Sequence, residues 1–314
     1  MSGHVLALSG GVGGAKLAAG LGTVLAAADL TIAVNTGDDF EHLGLTICPD
    51  IDSVTYAMAG LNDTERGWGV EGETWQAMAM LRALGEESWF NLGDRDLGMH
   101  IARSWRLRAG QTLSQVTARL TRELGITHAI VPMSDDAVRT RIETENGTLD
   151  FQRYFVAEQC RPVARSIRFE GAPGAAPSPG LAGALACPDL AAVIICPSNP
   201  YLSVDPILAV DGVRAALEAL AVPVVIVSPL VGGKALKGPL GKLLGELGAE
   251  GGNLAIARHY AGIADHLIID TADAGDAEGL HRLGVSVTIT GTVMCDADDR
   301  ERLARVALSA ARIE

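Results

Sequence analysis

Short apolar stretches bounded by glycine, proline or small polar residues recur along the chain, with helical spacing between them. HVLALSG (His4 to Gly10) predicts a first strand, GAKLAAGLGTVLAAA (Gly14 to Ala28) a helix, and LTIAVN (Leu30 to Asn35) a second strand, a β-α-β opening. ICPDIDSVTYAMAGL (Ile47 to Leu61) turns helical after Pro49, with Asp50 or Asp52 in its first turn, where a carboxylate meets the positive end of the helix dipole. From Asp63 to about Gly125 helical periodicity dominates and Trp68, Trp75, Trp89 and Trp105 cluster, which predicts a helical insertion over about 63–125. THAIVPMSDD (Thr127 to Asp136) returns to strand and loop. Arg139 to Val156 reads as a hairpin around Asn146-Gly147, within a small antiparallel element at about 139–170.

GAPGAAPSPG (Gly171 to Gly180) is the strongest breaker cluster and predicts a linker or long surface loop. Beyond it, LAAVIICPSNP (Leu190 to Pro200), VPVVIVSPLVGG (Val222 to Gly233), ADHLIID (Ala264 to Asp270) and VSVTIT (Val285 to Thr290) form a second strand series separated by helical stretches. Strands this uniformly apolar belong to a parallel sheet covered on both faces. The expected fold is therefore α/β: one continuous Rossmann-like, doubly wound, mainly parallel sheet in a single domain over residues 1–314.

Composition sharpens this picture. Aromatic residues make up only 4% of the 314, against 37 glycines, which suits close helix-on-sheet packing and loops that approach a ligand. A net charge of −13 argues against nucleic-acid or anionic-membrane partners. It also poses a repulsion if the ligand is a phosphate ester, which a divalent cation such as Mg²⁺ would resolve. Five widely spaced cysteines without a C-x-x-C pair read as reduced thiols, and no run reaches the roughly 18 apolar residues of a membrane span, so a cytoplasmic location is expected.

The candidate chemistry sits in polar turns after the strands. In SGGVGGAK (Ser9 to Lys16), Gly10, Gly11, Gly13 and Gly14 allow backbone N–H groups to converge on a phosphate at a helix N-terminus, and Lys16 adds a point charge. The spacing is neither the dinucleotide fingerprint nor the Walker pattern, and a tight strand-to-helix turn accounts for the glycines equally. NTGDDFEHLGLTICPDID (Asn35 to Asp52) crowds Asp38, Asp39, Glu41, Asp50 and Asp52 into eighteen residues, either a solvated acidic loop or a site in which two carboxylates ligate Mg²⁺. In WFNLGDRDLGMHI (Trp89 to Ile101), Arg95 in a first helical turn can fork onto an anion or simply pair at the surface. Ser198 and Asn199 of CPSNPYLSVDPILA offer hydrogen bonds to a nucleotide or form a plain Asn-Pro turn, and Lys234 and Lys237 of SPLVGGKALKGP offer charge to phosphate or are simply solvated. The seven histidines show no metal-ligand spacing.

In order and spacing, GGVGGAK, NTGDDFEHLGLTICPDIDSV, RGWGVEGETW, WFNLGDRDL, PMSDD, PSNPYLSVDPIL and VSPLVGGKALKGP resemble the 2-phospho-L-lactate transferase family of coenzyme F-420 biosynthesis, from about residue 5 to 295. The resemblance implies a Mg²⁺-dependent phosphotransferase. It would move a phospho-three-carbon acid (2-phospholactate, phosphoenolpyruvate or 3-phosphoglycerate) from a guanosine diphosphate ester to the ribityl hydroxyl of the deazaflavin FO, releasing GMP. FO is 7,8-didemethyl-8-hydroxy-5-deazariboflavin. On this resemblance Asp50, Arg95 and Trp89 face the deazaflavin, and Gly10, Gly11, Gly13, Gly14, Lys16, Ser198 and Asn199 face the nucleotide. Asp38 and Asp50 are the metal candidates, Asp50, Lys16 and Arg95 the catalytic ones, and a homodimer is expected. The rival is a nucleotide-sugar-binding regulatory protein of related fold without catalysis. An NAD-dependent dehydrogenase fits less well, because the G-x-G-x-x-G spacing is missing.

Overall fold

The computed structural model describes residues 3–236, 238–248 and 251–313. Lys237, one of the two candidate lysines after the VGG turn, lies outside the described residues. The chain opens with β1 (His4–Ser9), α1 (Gly11–Val24) and β2 (Leu30–Val34). A short hairpin, β3 (Phe40–His42) and β4 (Leu45–Ile47), then leads into α2 (Pro49–Ala59). Next come α3 (Gln76–Ala83), α4 (Asp94–Arg108) and α5 (Leu113–Glu123), and the chain rejoins the sheet as β5 (Ala129–Pro132). β6 (Arg139–Thr144), β7 (Gly147–Asp150) and β8 (Ala164–Glu170) make a separate antiparallel sheet in the order β7-β6-β8.

The breaker run after β8 is only partly a loop. Ala172 and Ala175 are buried, and the Ser178 hydroxyl accepts from the Leu181 amide at 3.2 Å to cap α6 (Pro179–Leu185). The second series follows: β9 (Leu190–Ile195), α7 (Asp205–Leu208), α8 (Val213–Glu218), β10 (Val224–Val227), the small hairpin β11 (Leu230–Val231) and β12 (Lys234–Ala235), α9 (Leu240–Glu246) and α10 (Asn253–His259). β13 (His266–Asp270), α11 (Ala277–Arg282), β14 (Ser286–Thr290) and α12 (Ala297–Ala310) complete it.

Seven of these strands form one parallel sheet in the order β14-β13-β10-β9-β1-β2-β5. Alternate residues of a strand point to opposite faces, so each continuous apolar run feeds two cores. Val5, Ala7, Ile32, Ile194 and Val225 pack beneath α1, α2 and α12. Leu6, Leu8, Val193, Ile195 and Ile226 pack beneath α6 to α11. Each fully buried aliphatic side chain contributes roughly 1.5–3 kcal/mol. Helix α1 can lie directly on α12 because Gly20 has no side chain: a Cβ there would stand 2.3 Å from the Arg300 carbonyl oxygen.

Candidate active site

The strand order fixes where a ligand can sit. From β1 the chain winds through β2 to β5 on one side, and from β9 through β10 and β13 to β14 on the other. The carboxyl ends of β1 and β9 are therefore the point where the winding reverses, and open α/β sheets bind ligands in the crevice at such a point. A cavity of about 720 Å³ opens there, within the roughly 300–1,000 Å³ usual for small-molecule sites.

The glycine turn after β1 forms one wall. The Gly10 N–H donates to the Ser198 hydroxyl at 3.2 Å, and the Gly11 N–H donates to Asp50 Oδ1 at 2.8 Å. Gly11 has φ +65°, a conformation that favours glycine. Gly13 lies against the turn after β9, where a Cβ would stand 2.5 Å from the Pro197 carbonyl oxygen. Lys16, one turn into α1, donates from Nζ to the Met294 carbonyl at 2.6 Å and lines the cavity beside Thr292 and Val293. That wall is held in place by Asp270 at the end of β13, whose Oδ2 accepts from the Thr292 amide at 2.7 Å.

Asn35, at the end of β2, organises the acidic side. Its Nδ2 donates to Asp50 Oδ2 at 2.9 Å and to Asp38 Oδ1 at 3.2 Å, while its Oδ1 accepts from the Gly37 amide at 2.8 Å. Both carboxylates are buried and both line the cavity. Burial pushes the Asp50 carboxyl up to about 6, against hydrogen bonds from Asn35 and Gly11 that favour its charged form. Burial, and then the neighbouring charge of Asp50, hold Asp38 well above the usual carboxylate range. Two buried oxygen donors that resist ionising together, on either side of one amide, suit a hard divalent cation.

A second wall belongs to α2 and α4. Arg103 is 2% exposed, and its guanidinium grips both oxygens of Asp52, with Nη1 3.1 Å from Oδ2. Burial opposes the guanidinium's charge, but Asp52 more than offsets this and keeps it protonated. His100 Nε2 stands 3.3 Å from Asp96 Oδ1, which also accepts the Tyr56 hydroxyl hydrogen bond. Ligand atoms of Asp52, Asp96 and His100 lie within 4.8 Å of one another, yet the guanidinium already supplies the cation that this cluster needs. At the same wall Trp89 packs against Phe40, His42 and Phe90 at centroid distances of 5.6, 5.2 and 5.7 Å.

The structure thus brings Gly10, Gly11, Gly13, Lys16, Asp38, Asp50, Trp89, Ser198 and Asn199 to one cavity. Gly14 is not in its lining; it sits behind the turn, where a Cβ would stand 2.5 Å from the Ser198 hydroxyl oxygen. Asn199 spends its Oδ1 on the Tyr201 and Leu202 amides at 3.0 and 3.3 Å, capping the helical turn Pro200–Val204. Arg95 is exposed, donates to the Glu71 carbonyl and is outside the lining. Sequence reasoning did not single out Asn35, Tyr56, His100, Arg103 or Thr292. The one available signal was the four-residue spacing of Asp96, His100 and Ser104, which puts them on one face of α4.

A glycine turn, an acidic pair and an aromatic wall at the switch point of a parallel sheet define a Rossmann-like α/β protein with a cavity of small-molecule size. The family model described as 2-phospho-L-lactate transferase CofD matches residues 5–310, and the chain belongs to that family of transferases. It is 39% identical to the phosphoenolpyruvate transferase of Streptomyces griseus subsp. griseus, over 98% of each chain. It is 35% identical to the 2-phospho-L-lactate transferase of Methanosarcina mazei, over 98% of this chain and 100% of that one. Among solved structures, a UPF0052-family protein from Bacillus halodurans shares the fold, with a TM-score of 0.63 at 17% identity over 98% of this chain and 99% of that one. Among the described residues no helix is long and apolar enough to cross a membrane.

Proposed function

We propose that the chain transfers a phospho-three-carbon acid from a guanosine diphosphate ester to the terminal ribityl hydroxyl of FO, releasing GMP, in coenzyme F-420 biosynthesis. The observation that carries this reading is the 2.8 Å contact between the Gly11 amide and Asp50, inside the cavity that Trp89 also lines. It joins the glycine turn to the acidic pair in one enclosure with an aromatic wall, which supports a site for a phosphate ester beside a ring. The named activities of the family's Streptomyces and Methanosarcina members supply the chemistry.

In this reading the first-turn amides of Val12 and Gly13, next to the Gly10 and Gly11 amides that are spent on Ser198 and Asp50, hold the donor's phosphates with the Ser198 hydroxyl, Lys16 neutralises charge on the departing GMP, and Trp89 packs against the ring of FO. Asp38 and Asp50 would hold Mg²⁺, which when bound would supply positive charge to the donor's phosphates. The ribityl oxygen attacks the phosphorus that bears the acid, a new P–O bond forms, and the bridging P–O bond to GMP breaks. The hydroxyl proton leaves toward Asp50 or water. No covalent enzyme intermediate is required, so positioning and fixed charge provide most of the acceleration.

The test is to incubate purified protein with FO, Mg²⁺ and each of the three guanosine diphosphate esters, then weigh the products. A deazaflavin mass increased by one phospho-acid, formed with one GMP, is expected from one donor at least. Absence of product from all three would refute the reading.

A further inference from the structure

Facing Trp89, the chain leaves β7 and enters a wide helical turn, Arg153–Ala157, in which the Glu158 amide donates to the Arg153 carbonyl at 2.9 Å with π-helical spacing. Such turns are rare and often mark functional sites. The Arg153 guanidinium lies 5.1 Å from the Trp89 ring centroid, which ties this turn to the aromatic end of the cavity. Phe151 and Phe155 stack with centroids 5.5 Å apart and planes 13° apart, and both line the cavity.

Between them stands Gln152, 7% exposed and also in the lining. Three side-chain amides line the cavity: Asn91, Gln152 and Asn199. Asn91 accepts from Arg82 at 2.8 Å and Asn199 caps the Pro200 turn. Among the described residues, the Gln152 carboxamide has no hydrogen-bond partner, and it does not cap the turn it begins. The polar atoms of Gln152 are not among the fully buried unpartnered ones, so the amide opens onto the cavity, where a ligand can take the place of water.

A carboxamide presents one donor group and one acceptor side by side. Its complement is a cyclic imide edge, where a ring N–H adjoins a carbonyl, and the pyrimidinedione ring of a deazaflavin carries that edge. We propose that Gln152 reads the imide edge of the ring and is a specificity-determining residue for the acceptor. This rests on the reading above that the Trp89 end of the cavity takes the deazaflavin.

The experiment compares FO with its N3-methyl derivative, which lacks the imide hydrogen, by fluorescence-monitored binding to the full chain, with GMP binding measured in parallel. The native protein is expected to prefer FO by about ten- to hundredfold. Gln152→Leu should bind the two ligands equally while keeping its affinity for GMP. If that variant does not fold, Gln152→Met, of similar length and without the amide, is read in the same way. Equal binding of both ligands by the native chain, or a preference that survives in either variant, overturns the assignment of Gln152 alone. A native chain that binds GMP but no FO overturns it together with the proposed function.

Discussion

Replacing Asp50 by asparagine separates the burden of burying a charge from the use made of it. Burial raises the Asp50 carboxyl from its ordinary 3.8 to about 6. An acid with a higher pKa in the folded chain holds a proton that the unfolded chain releases. Stability from this group is therefore full below about pH 4 and is lost as pH rises through about 6. A displacement of that size corresponds to about 3 kcal/mol. An amide carries no charge to bury, but it offers one oxygen where both the Gly11 N–H and the Asn35 amide now donate. One hydrogen bond is then lost, at about 1–3 kcal/mol. Asp50→Asn should be less stable than the native chain at about pH 4. By about pH 8, in chelator, that deficit should shrink by roughly 2–3 kcal/mol and vanish or reverse. Urea unfolding at the two pH values measures the change; the subtraction cancels titrating groups other than Asp38, which loses the repulsion of Asp50 in the variant and so adds to the gain at pH 8. With Mg²⁺ the native chain should regain stability at pH 8 and the variant much less, while product formation falls at least about a hundredfold. Stability curves that run parallel in pH, or a variant that keeps both its Mg²⁺ response and its turnover, would refute the reasoning.

Two further substitutions test the walls of the cavity. A Cβ on Gly13 must retreat from 2.5 Å to at least 3.4 Å from the Pro197 oxygen, a shift of about 0.9 Å. Gly13→Ala should thus spread the two turns apart and weaken GMP binding by about ten- to hundredfold in calorimetry; unchanged affinity would show that the turns do not share the nucleotide. Arg103→Leu strands Asp52 as a buried, uncompensated carboxylate, a loss of about 3–5 kcal/mol, and should lower the melting temperature by roughly 10 °C. Adding Asp52→Asn should restore much of it, and a double variant as unstable as the single one would contradict the pairing.

The strand framework was legible because strands buried on both faces must be apolar at every position, as in Val5–Leu8 and Val224–Val227. The β3–β4 hairpin was not: each strand has three residues, and its turn uses Leu43 and Gly44 at φ +51° and +72°, of which only the glycine announces itself. The stretch after Asp150 reads as a second hairpin strand, yet it leaves the sheet for the Arg153 turn because Tyr154 is drawn into a separate core with Ile142 and Leu243. For the site, residue type and strand-end position were enough to collect the glycine turn, Asp50 and Ser198. Neither could reveal Asn35 as the amide shared by two carboxylates. Nor could they reveal Arg103 as the partner of Asp52, since the two are 51 residues apart and meet only when α2 and α4 pack.

The bond from Gly10 to Ser198 spans 188 residues, and β1 has β9 as a neighbour before any strand of the second series can be reached through it. Chain closure over that distance is slow relative to local helix formation. A nascent chain emerging from the ribosome would thus carry its glycine turn and both acidic residues long before it owns the opposite bank of the crevice. Affinity for the nucleotide should arrive late and abruptly in refolding, so that the onset of GMP binding times the docking of the two halves of the sheet.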